Sequence, residues 1–256
     1  EFFLASDASP IAEYTSKMVY LSDEQLAVCT RGEELQVLTL SNDEVEVNVK
    51  NVKLDLSMLD KGGYPHFMQK EIHDQPQCIR DCMRGRIVLG GRRIVLSAVT
   101  EHREELLGAR RIVIVSCGTS WHAGLIGKQL IEQFCRIPVE VAYASEFRYS
   151  DPVVDDKDVV IAISQSGETA DTLAAIQLAS QRGALVYGIV NAVGSSISRN
   201  TDTGTYIHVG PEIGVASTKA FTGQVMVLSM LALALAKEKG TISDDEYAKL
   251  IDELAG

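Results

Sequence analysis

Long apolar runs and an excess of positive charge are both missing from this 256-residue chain. No apolar stretch reaches the ~18 to 20 residues that a membrane-spanning helix needs, and the longest candidate, Val225–Ala236, is typical of a core helix. The formal net charge is −11, so affinity for nucleic acid or for an anionic membrane is not expected. A small anionic ligand is still possible, because backbone N–H groups bind phosphate without lysine or arginine.

Cysteine pairs at metal-binding spacing are missing as well. The chain has Cys29, Cys78, Cys82, Cys117 and Cys135. Cys78 and Cys82 lie four apart on a predicted helix, but no second Cys or His pair stands at zinc spacing. We therefore expect reduced, structural cysteines in a cytoplasmic protein, and no metal. The chain starts without methionine or a signal sequence, inside the apolar segment Phe2–Ala5, which we interpret as a fragment.

Residues 1–59 are predicted to be β-rich, because short apolar or alternating runs are separated by polar turns. The runs are Phe2–Ala5, Met18–Leu21, Leu26–Cys29, Leu35–Leu40 and Val45–Val49. Strands this short bury little surface, so we expect them to pack on a larger sheet. Residues 60–105 predict a helical linker, with a helix from His66 to Arg84 that is interrupted around Pro76 and a return to helix over Glu101–Leu107.

Residues 106–240 repeat the order strand, loop, helix. The predicted strands are Ile112–Ser116, Val139–Ala144, Val159–Ser164, Leu185–Asn191 and Tyr206–Val209. The predicted helices are Trp121–Cys135, Glu168–Arg182 and Thr218–Glu238. Strands that are apolar throughout are typical of a parallel sheet covered on both faces. The fold class is therefore α/β, a five-stranded parallel, doubly wound, flavodoxin-like sheet whose ligand crevice lies at the carboxyl ends of the strands.

Loops rich in serine and threonine leave that edge of the predicted sheet. Residues 116–120 follow the first strand, residues 164–169 follow the third, and residues 214–218 precede the last long helix. Hydroxyls, a glycine and a helix N-terminus suit a phosphate monoester, although one such loop alone is more often capping and turn chemistry. In the strand order 2-1-3-4-5, the first and third strands flank the point where ligands bind. Two hydroxyl-rich loops there favour a phosphate site.

Nucleotide-binding fingerprints are absent from these loops. No Gly-Lys-Ser or Gly-Lys-Thr follows the glycines, so neither loop is a P-loop. Gly118 lacks the second and third glycines of the dinucleotide fingerprint. A nucleotide cofactor, and with it a nucleotide-binding doubly wound domain, is therefore disfavoured.

Several motifs of this chain resemble the sugar isomerase (SIS) domain family and, more narrowly, the glutamine–fructose-6-phosphate aminotransferases. They are Ser116–Ser120, Ser164–Thr172, Glu212–Thr222, Tyr64–Ile72, Ala144–Tyr149 and the β-rich start Phe3–Asp7, which is similar to the end of a glutaminase domain. The motifs stand in the family's order, and the resemblance covers essentially the whole chain.

The resemblance implies part of an enzyme that makes glucosamine 6-phosphate from fructose 6-phosphate and glutamine, in the hexosamine pathway towards UDP-N-acetylglucosamine. It implies no metal or organic cofactor. Residues 1–59 would end the glutaminase domain, 60–105 would link it to the isomerase half, 106–240 would be the first SIS domain, and 241–256 would begin the connection to a second. Implied partners are fructose 6-phosphate or glucosamine 6-phosphate, the rest of the enzyme, and a second copy, on which the apolar helix Val225–Leu235 would pack.

The same resemblance implies the ligand contacts, position by position. For the phosphate they are Ser120, Ser164, Gln165, Ser166 and Thr169; for the sugar hydroxyls, Val215, Ala216 and Ser217; further crevice candidates are Cys117, Gly118, Thr119 and Gly167. No catalytic residue is assigned, because the family's nucleophilic cysteine and its acid–base groups belong to parts outside this sequence. We expect structural roles for Glu168, Glu212 and Lys219, a packed or half-exposed His122, and weak hexose-phosphate binding without catalysis.

Two other functions use the same domain. A sugar-phosphate-sensing SIS domain of a bacterial regulator would carry a basic helix-turn-helix segment, which fits neither the acidic charge nor the β-rich start. A stand-alone sugar-phosphate isomerase would need its own general base and would not need the N-terminal strands.

Overall fold

The computed structural model describes residues 1–5, 11, 14–51, 60–88, 90 and 92–256, and it divides into two compact units, 1–61 and 62–256. The end of the predicted first domain at residue 59, and Ser6 and Asp7 of the predicted glutaminase motif, lie outside the described residues.

The first unit is β-rich, as predicted. Its strands are β1 (Lys17–Met18), β2 (Gln25–Val28), β3 (Gln36–Thr39), β4 (Glu44–Val45) and β5 (Lys50–Asn51). β1 pairs with β5, and β2, β3 and β4 form an antiparallel sheet. The predicted strand at Phe2–Ala5 was wrong: among the described residues this segment pairs with no strand, and the Phe3 ring stacks on Tyr14 instead, with centroids 4.8 Å apart.

The linker region begins with one continuous helix, α1 (Phe67–Met83), so the predicted interruption at Pro76 was wrong. A proline inside a helix leaves the carbonyl four residues earlier without its N–H donor. Here the Gln75 side chain donates to that carbonyl, the oxygen of Ile72, at 3.2 Å. The hairpin of β6 (Ile87–Val88) and β7 (Arg93–Ile94) follows, and then α2 (Ser97–Glu101) and α3 (Arg103–Gly108).

A five-stranded parallel sheet forms the centre of the second unit. Its strands are β8 (Arg111–Ser116), β9 (Val139–Tyr143), β10 (Asp158–Ser164), β11 (Leu185–Val190) and β12 (Thr203–Tyr206). The helices around it are α4 (Thr119–Cys135), α5 (Ala144–Tyr149), α6 (Ala170–Gln181), α7 (Ser196–Arg199), α8 (Lys219–Lys239) and α9 (Asp244–Ala255). The spatial order β12-β11-β10-β8-β9 is the predicted 2-1-3-4-5 order, so the predicted fold class is confirmed.

The last strand lies three residues earlier than predicted. Its residues include a glycine and two threonines, so the apolar run at Ile207 and Val209 was mistaken for the strand. Those two side chains are buried in the core just beyond it. Gly204 allows the close pairing, because a Cβ there would lie 2.3 Å from the backbone oxygen of Gly188 on β11.

Alternate residues of the strands point into two cores, one on each face of the sheet. Ile112 and Ile114 of β8 pack with α1, α4 and α8, whereas Val113 and Val115 pack with α5, α6 and α7. Helix α8 is long and apolar enough to pass a length and composition test for a membrane span, but 72% of its most apolar window is buried inside the protein. It is a core helix, as expected. Most of its apolar side chains are buried against other parts of this chain.

Burial predicts unequal reactivity of the thiols. Cys82 and Cys135 have no exposed surface, and loss of hydration raises the pKa of each to about 12. Cys29 is exposed. We expect iodoacetamide at pH 8 to modify Cys29 in the native protein and to reach Cys82 and Cys135 only on unfolding, because the thiolate is the reacting form. Peptide mass mapping measures this; equal native modification of Cys29 and Cys82 would contradict the packing.

Candidate phosphate-binding site

The strand register brings two of the predicted loops side by side. We call residues 116–120 the first loop, 164–169 the second loop and 212–218 the third loop. Ser116, at the end of β8, pairs with Ile163 on β10, so the first and second loops leave neighbouring strands ~5 Å apart at the same edge. Helix α4 starts at Thr119 within the first loop, and α6 starts directly after the second loop. Their partial positive ends therefore converge on the predicted switch point.

Hydroxyls of the second loop hold the loop itself in shape. Ser164 Oγ accepts the N–H of Gly167 at 3.0 Å and lies 3.2 Å from the Thr169 hydroxyl. Ser166 Oγ accepts the N–H of Glu168 at 3.1 Å. The left-handed backbone of Gly167, with φ of +70°, closes the turn. The hydroxyl side chains predicted to bind phosphate thus stabilise the conformation of the loop. Of the three, Ser166 is exposed, whereas Ser164 is buried and Thr169 is half-buried.

Backbone donors of the second loop remain unused. Within the described part of the chain, the N–H groups of Gln165, Ser166 and Thr169 have no protein acceptor. The first N–H groups of α6 add to them, because an α-helix cannot satisfy its own first four. A row of unpaired N–H groups at a helix N-terminus is the arrangement that binds a phosphate oxygen.

The start of α7 and the residue before it hold the second loop from the side. Ile197 N–H donates to the carbonyl of Gly167 at 2.8 Å, and Ser196 N–H donates to the Glu168 carboxylate at 2.8 Å. A Cβ at Gly167 would lie 2.0 Å from Ser195 Oγ. The Glu168 carboxylate therefore accepts a hydrogen bond within the protein, which fits the structural role expected for this residue.

The first loop turns at Gly118, which is exposed and has φ of +59°, and α4 begins at Thr119. Cys117 is half-buried against the core on the α6 face. Ser120 is buried, and its Oγ accepts a hydrogen bond of 3.0 Å from Nε2 of Gln224 on α8. Sequence reasoning missed Gln224, because a glutamine in an apolar helix belongs to no motif.

A buried carboxylate from α1 holds one end of the third loop. Glu71 is 2% exposed, and its Oε1 accepts the N–H of Ile213 at 2.6 Å and that of Gly214 at 3.1 Å. Sequence reasoning also missed Glu71, although it lies in the Tyr64–Ile72 motif. The contact spans 142 residues of sequence, which no local pattern reveals.

Glu212 holds the other end of the third loop. Its carboxylate accepts the N–H of Thr218 at 2.8 Å and the hydroxyl of Ser217 at 2.7 Å, so it caps α8 rather than facing a reacting carbon. Val215 and Ala216 lie exposed between the two carboxylates. The third loop therefore presents backbone and small side chains at its tip.

The other titratable candidates are also held by the protein. Lys219 is 6% exposed in the first turn of α8, and its Nζ lies 3.6 Å from Asp74. His122 is exposed, and its ring lies edge-on to Trp121 with centroids 5.1 Å apart. Among the described residues, neither Lys219 nor His122 has a partner that would make it a general base. No cluster of three or more potential metal ligands occurs in the residues that the structure describes.

Buried polar atoms without a protein partner concentrate at the carboxyl edge of the sheet. In the described ranges such atoms belong to Ser116, Trp121, Thr172, Ser195, Gln224 and His102. All but His102 lie at the end of a strand, in a loop of this edge or in the first two turns of α4, α6 or α8. Proteins rarely leave buried polar groups unsatisfied, so this edge is suited to a polar ligand.

Two surface cavities of the second unit are lined by residues outside the three loops. The first, of about 440 Å³, is at the amino ends of the strands and includes Glu104, Asp156 and Asp202 in its lining. The second, of about 380 Å³, is lined by residues such as Glu140 and Phe147. Carboxylates repel phosphate, so the acidic first cavity is the wrong place for it.

Comparison with known proteins agrees with this geometry. The family model described as the SIS domain matches residues 105–234. This chain belongs to the SIS domain family. Its sequence is 69% identical, over 99% of the chain, to a glutamine–fructose-6-phosphate aminotransferase (isomerizing) of Bacteroides thetaiotaomicron. It is 56% identical, over 100% of the chain, to the protein of that name from Chlorobaculum tepidum.

One solved structure is also similar to this chain. It is the C-terminal domain of the glucosamine-fructose-6-phosphate aminotransferase of Francisella tularensis, which matches 76% of this chain and 54% of its own with 39% identity and a TM-score of 0.71. The chain spans 41% of the length of the two relatives from Bacteroides and Chlorobaculum. The similarity therefore identifies the domain family of this chain. It does not by itself assign the activity of the whole relatives to this chain.

The contact between Gly167 and Ser195 can be tested by mutation. Gly167→Ala adds a methyl where φ is +70° and where it would meet Ser195 Oγ at 2.0 Å, so the second loop must move. Gly194→Ala is the matched control, because φ is +75° there but nothing lies within 4 Å. We expect Gly194→Ala to lower the free energy of unfolding by ~1–2 kcal/mol and Gly167→Ala by at least ~1 kcal/mol more. Urea unfolding measures both; equal losses would contradict the contact.

Proposed function

We propose that this chain is the hexose-phosphate-binding part of a glutamine–fructose-6-phosphate aminotransferase, the enzyme that makes glucosamine 6-phosphate for amino-sugar biosynthesis. One observation carries the proposal: two helix N-termini with unpaired N–H groups meet at the switch point of the sheet. This arrangement binds a phosphate monoester without a lysine or arginine clamp, which suits a substrate that must also leave. The aminotransferase relatives support the choice of sugar.

Each predicted ligand residue has a place in this proposal. Ser166, Thr169 and the N–H groups of Gln165 and Ser166 would bind the phosphate in the second loop, where Ser164 and Gly167 hold the shape. Ser120 would donate from the first loop, next to Cys117, Gly118 and Thr119. The exposed tip of the third loop, Val215, Ala216 and Ser217, would contact the sugar hydroxyls. Ordinary hydrogen bonds of this kind support weak rather than tight binding.

Catalysis by this chain alone is not part of the proposal. Glu168, Glu212 and Lys219 are bonded to the protein, so none of these three is free to move a proton at a sugar carbon. The glutaminase and acid–base groups would come from the rest of the enzyme. In that assignment 1–59 ends the glutaminase domain, 60–105 is the linker, 106–240 is the first SIS domain and 241–256 leads to a second.

The compartment, pathway and oligomeric state of the enzyme are proposed from the same resemblance. We propose a cytoplasmic enzyme on the route to UDP-N-acetylglucosamine that acts as a homodimer. The apolar helix expected to pack on a second copy does not support the dimer, because α8 is buried within this chain. The dimer therefore rests on the resemblance alone.

Ligand protection of Cys117 tests the proposal. We expect fructose 6-phosphate to slow alkylation of Cys117, which lies half-buried beside the phosphate loops, and fructose to have no effect. Exposed Cys29 in the first unit is the internal control and should react equally fast throughout. Ser166→Ala should weaken the protection by roughly tenfold or more in ligand concentration, the cost of one hydrogen bond to a charged group.

Three results would contradict the proposal. Equal protection by fructose would mean that the phosphate is not recognised, and no protection at millimolar fructose 6-phosphate would mean that the loops do not bind it. Formation of glucosamine 6-phosphate from fructose 6-phosphate and ammonia by this chain alone would show a catalytic group that the proposal denies.

A further inference from the structure

Gln224 is a fully buried polar side chain near the candidate site. It lies in the second turn of α8, has no exposed surface and is surrounded by apolar residues of that helix. Its Nε2 donates to Ser120 Oγ at 3.0 Å, and its Oε1 is a buried oxygen with no partner among the described residues. A buried amide that satisfies only one of its groups costs stability. Packing alone therefore does not explain a glutamine at this position.

The hydrogen bond decides what the Ser120 hydroxyl can still do. A serine hydroxyl has one proton to donate and two lone pairs to accept with. Because the Gln224 amide donates to one lone pair, the hydroxyl proton must point to something else, and Ser120 Oγ has no other protein partner in the described residues. Ser120 sits in the first turn of α4, where the helix N-terminus faces the second loop. The free proton is therefore available to an anion at that edge.

We infer that Gln224 is a positioning residue that turns the Ser120 hydroxyl into a hydrogen-bond donor for the phosphate group of the ligand. The inference rests on the proposed function, since it assigns a role within the same site. Gln224 does not touch the ligand: it acts through Ser120, and it links α8 to the first loop across 104 residues of sequence. The unpartnered amide oxygen is the stability cost of placing a donor there.

Removing the donor should weaken binding without weakening the fold. Gln224→Met keeps the length and volume of the side chain but cannot donate, so the Ser120 hydroxyl loses its fixed orientation. We expect the affinity of the full chain for fructose 6-phosphate, measured by calorimetry, to fall about three- to tenfold. We expect the melting temperature to stay the same or rise, because a buried unpaired oxygen is removed. Gln224→Leu is a second variant in case methionine packs poorly.

A double-mutant cycle separates the positioning role from a merely structural one. Ser120→Ala alone should weaken binding at least as much as Gln224→Met, and Gln224→Met should cost nothing further in the Ser120→Ala background. Ser229→Ala is the matched control, because Ser229 lies on the same helix and, among the described residues, its hydroxyl donates only to the carbonyl of Val225. It should leave the affinity unchanged. Inorganic phosphate as a second probe should show the same fold-loss as fructose 6-phosphate, since the lost contact is to the phosphate.

Each failure has its own meaning. If the unmodified chain binds neither fructose 6-phosphate nor phosphate, the proposed function fails and the role of Gln224 falls with it. If the unmodified chain binds but Gln224→Met and Gln224→Leu bind equally well, only the role of Gln224 is overturned. Additive losses in the double variant, or a loss confined to fructose 6-phosphate, would also overturn it, because Gln224 would then act independently of Ser120 or on the sugar.

Discussion

The parallel pairing of β8 with β10 is the constraint on which the candidate site depends. It sets the ends of the first and third strands side by side, and because the crossover helices start from those ends, it aims α4 and α6 at one point. Each helix contributes unpaired N–H groups and a partial positive charge. Apolar side chains on both faces hold the pairing in place, so the site draws its geometry from the hydrophobic core beneath it. The proposed anion site therefore needs no positively charged side chain, which fits a chain whose net charge is −11.

Side chains around the loops hold the loops in position by hydrogen bonds and do not supply positive charge to the site. The carboxylate of Glu71 binds N–H groups at one end of the third loop, and Glu212 binds those at the other. Glu168 ties the second loop to Ser196, and Gln224 ties the first loop to α8. Acidic residues so close to a phosphate site would repel the ligand if they faced it. Here they accept backbone hydrogen bonds instead, which leaves the rest of each loop preorganised for a ligand.

The sheet could be predicted because its strands are short, continuous apolar runs and its helices follow at regular spacing. The prediction is less accurate where these signals weaken: the polar strand Thr203–Tyr206 begins three residues before the predicted strand Tyr206–Val209, because the apolar residues lie beyond its end. Pro76 stays helical through a bond from the neighbouring Gln75 side chain, which composition does not reveal. Glu71 and Gln224 act over more than a hundred residues of sequence, so only the folded chain brings them to the loops. The predicted ligand residues lie in the three loops of one edge, and their contacts with a ligand stay a prediction.

In the proposed function, backbone N–H groups of the second loop bind the phosphate of a sugar. The most direct measurement is a titration of the isotope-labelled chain with fructose 6-phosphate, followed through its amide proton and nitrogen NMR signals, with fructose as the comparison. We expect saturable shifts that are largest for the amides of Gln165, Ser166 and Thr169 and for the first turn of α4, and none of comparable size with fructose. Shifts confined to the acidic cavity at the amino ends of the strands, or equal shifts with both sugars, would contradict the proposed function.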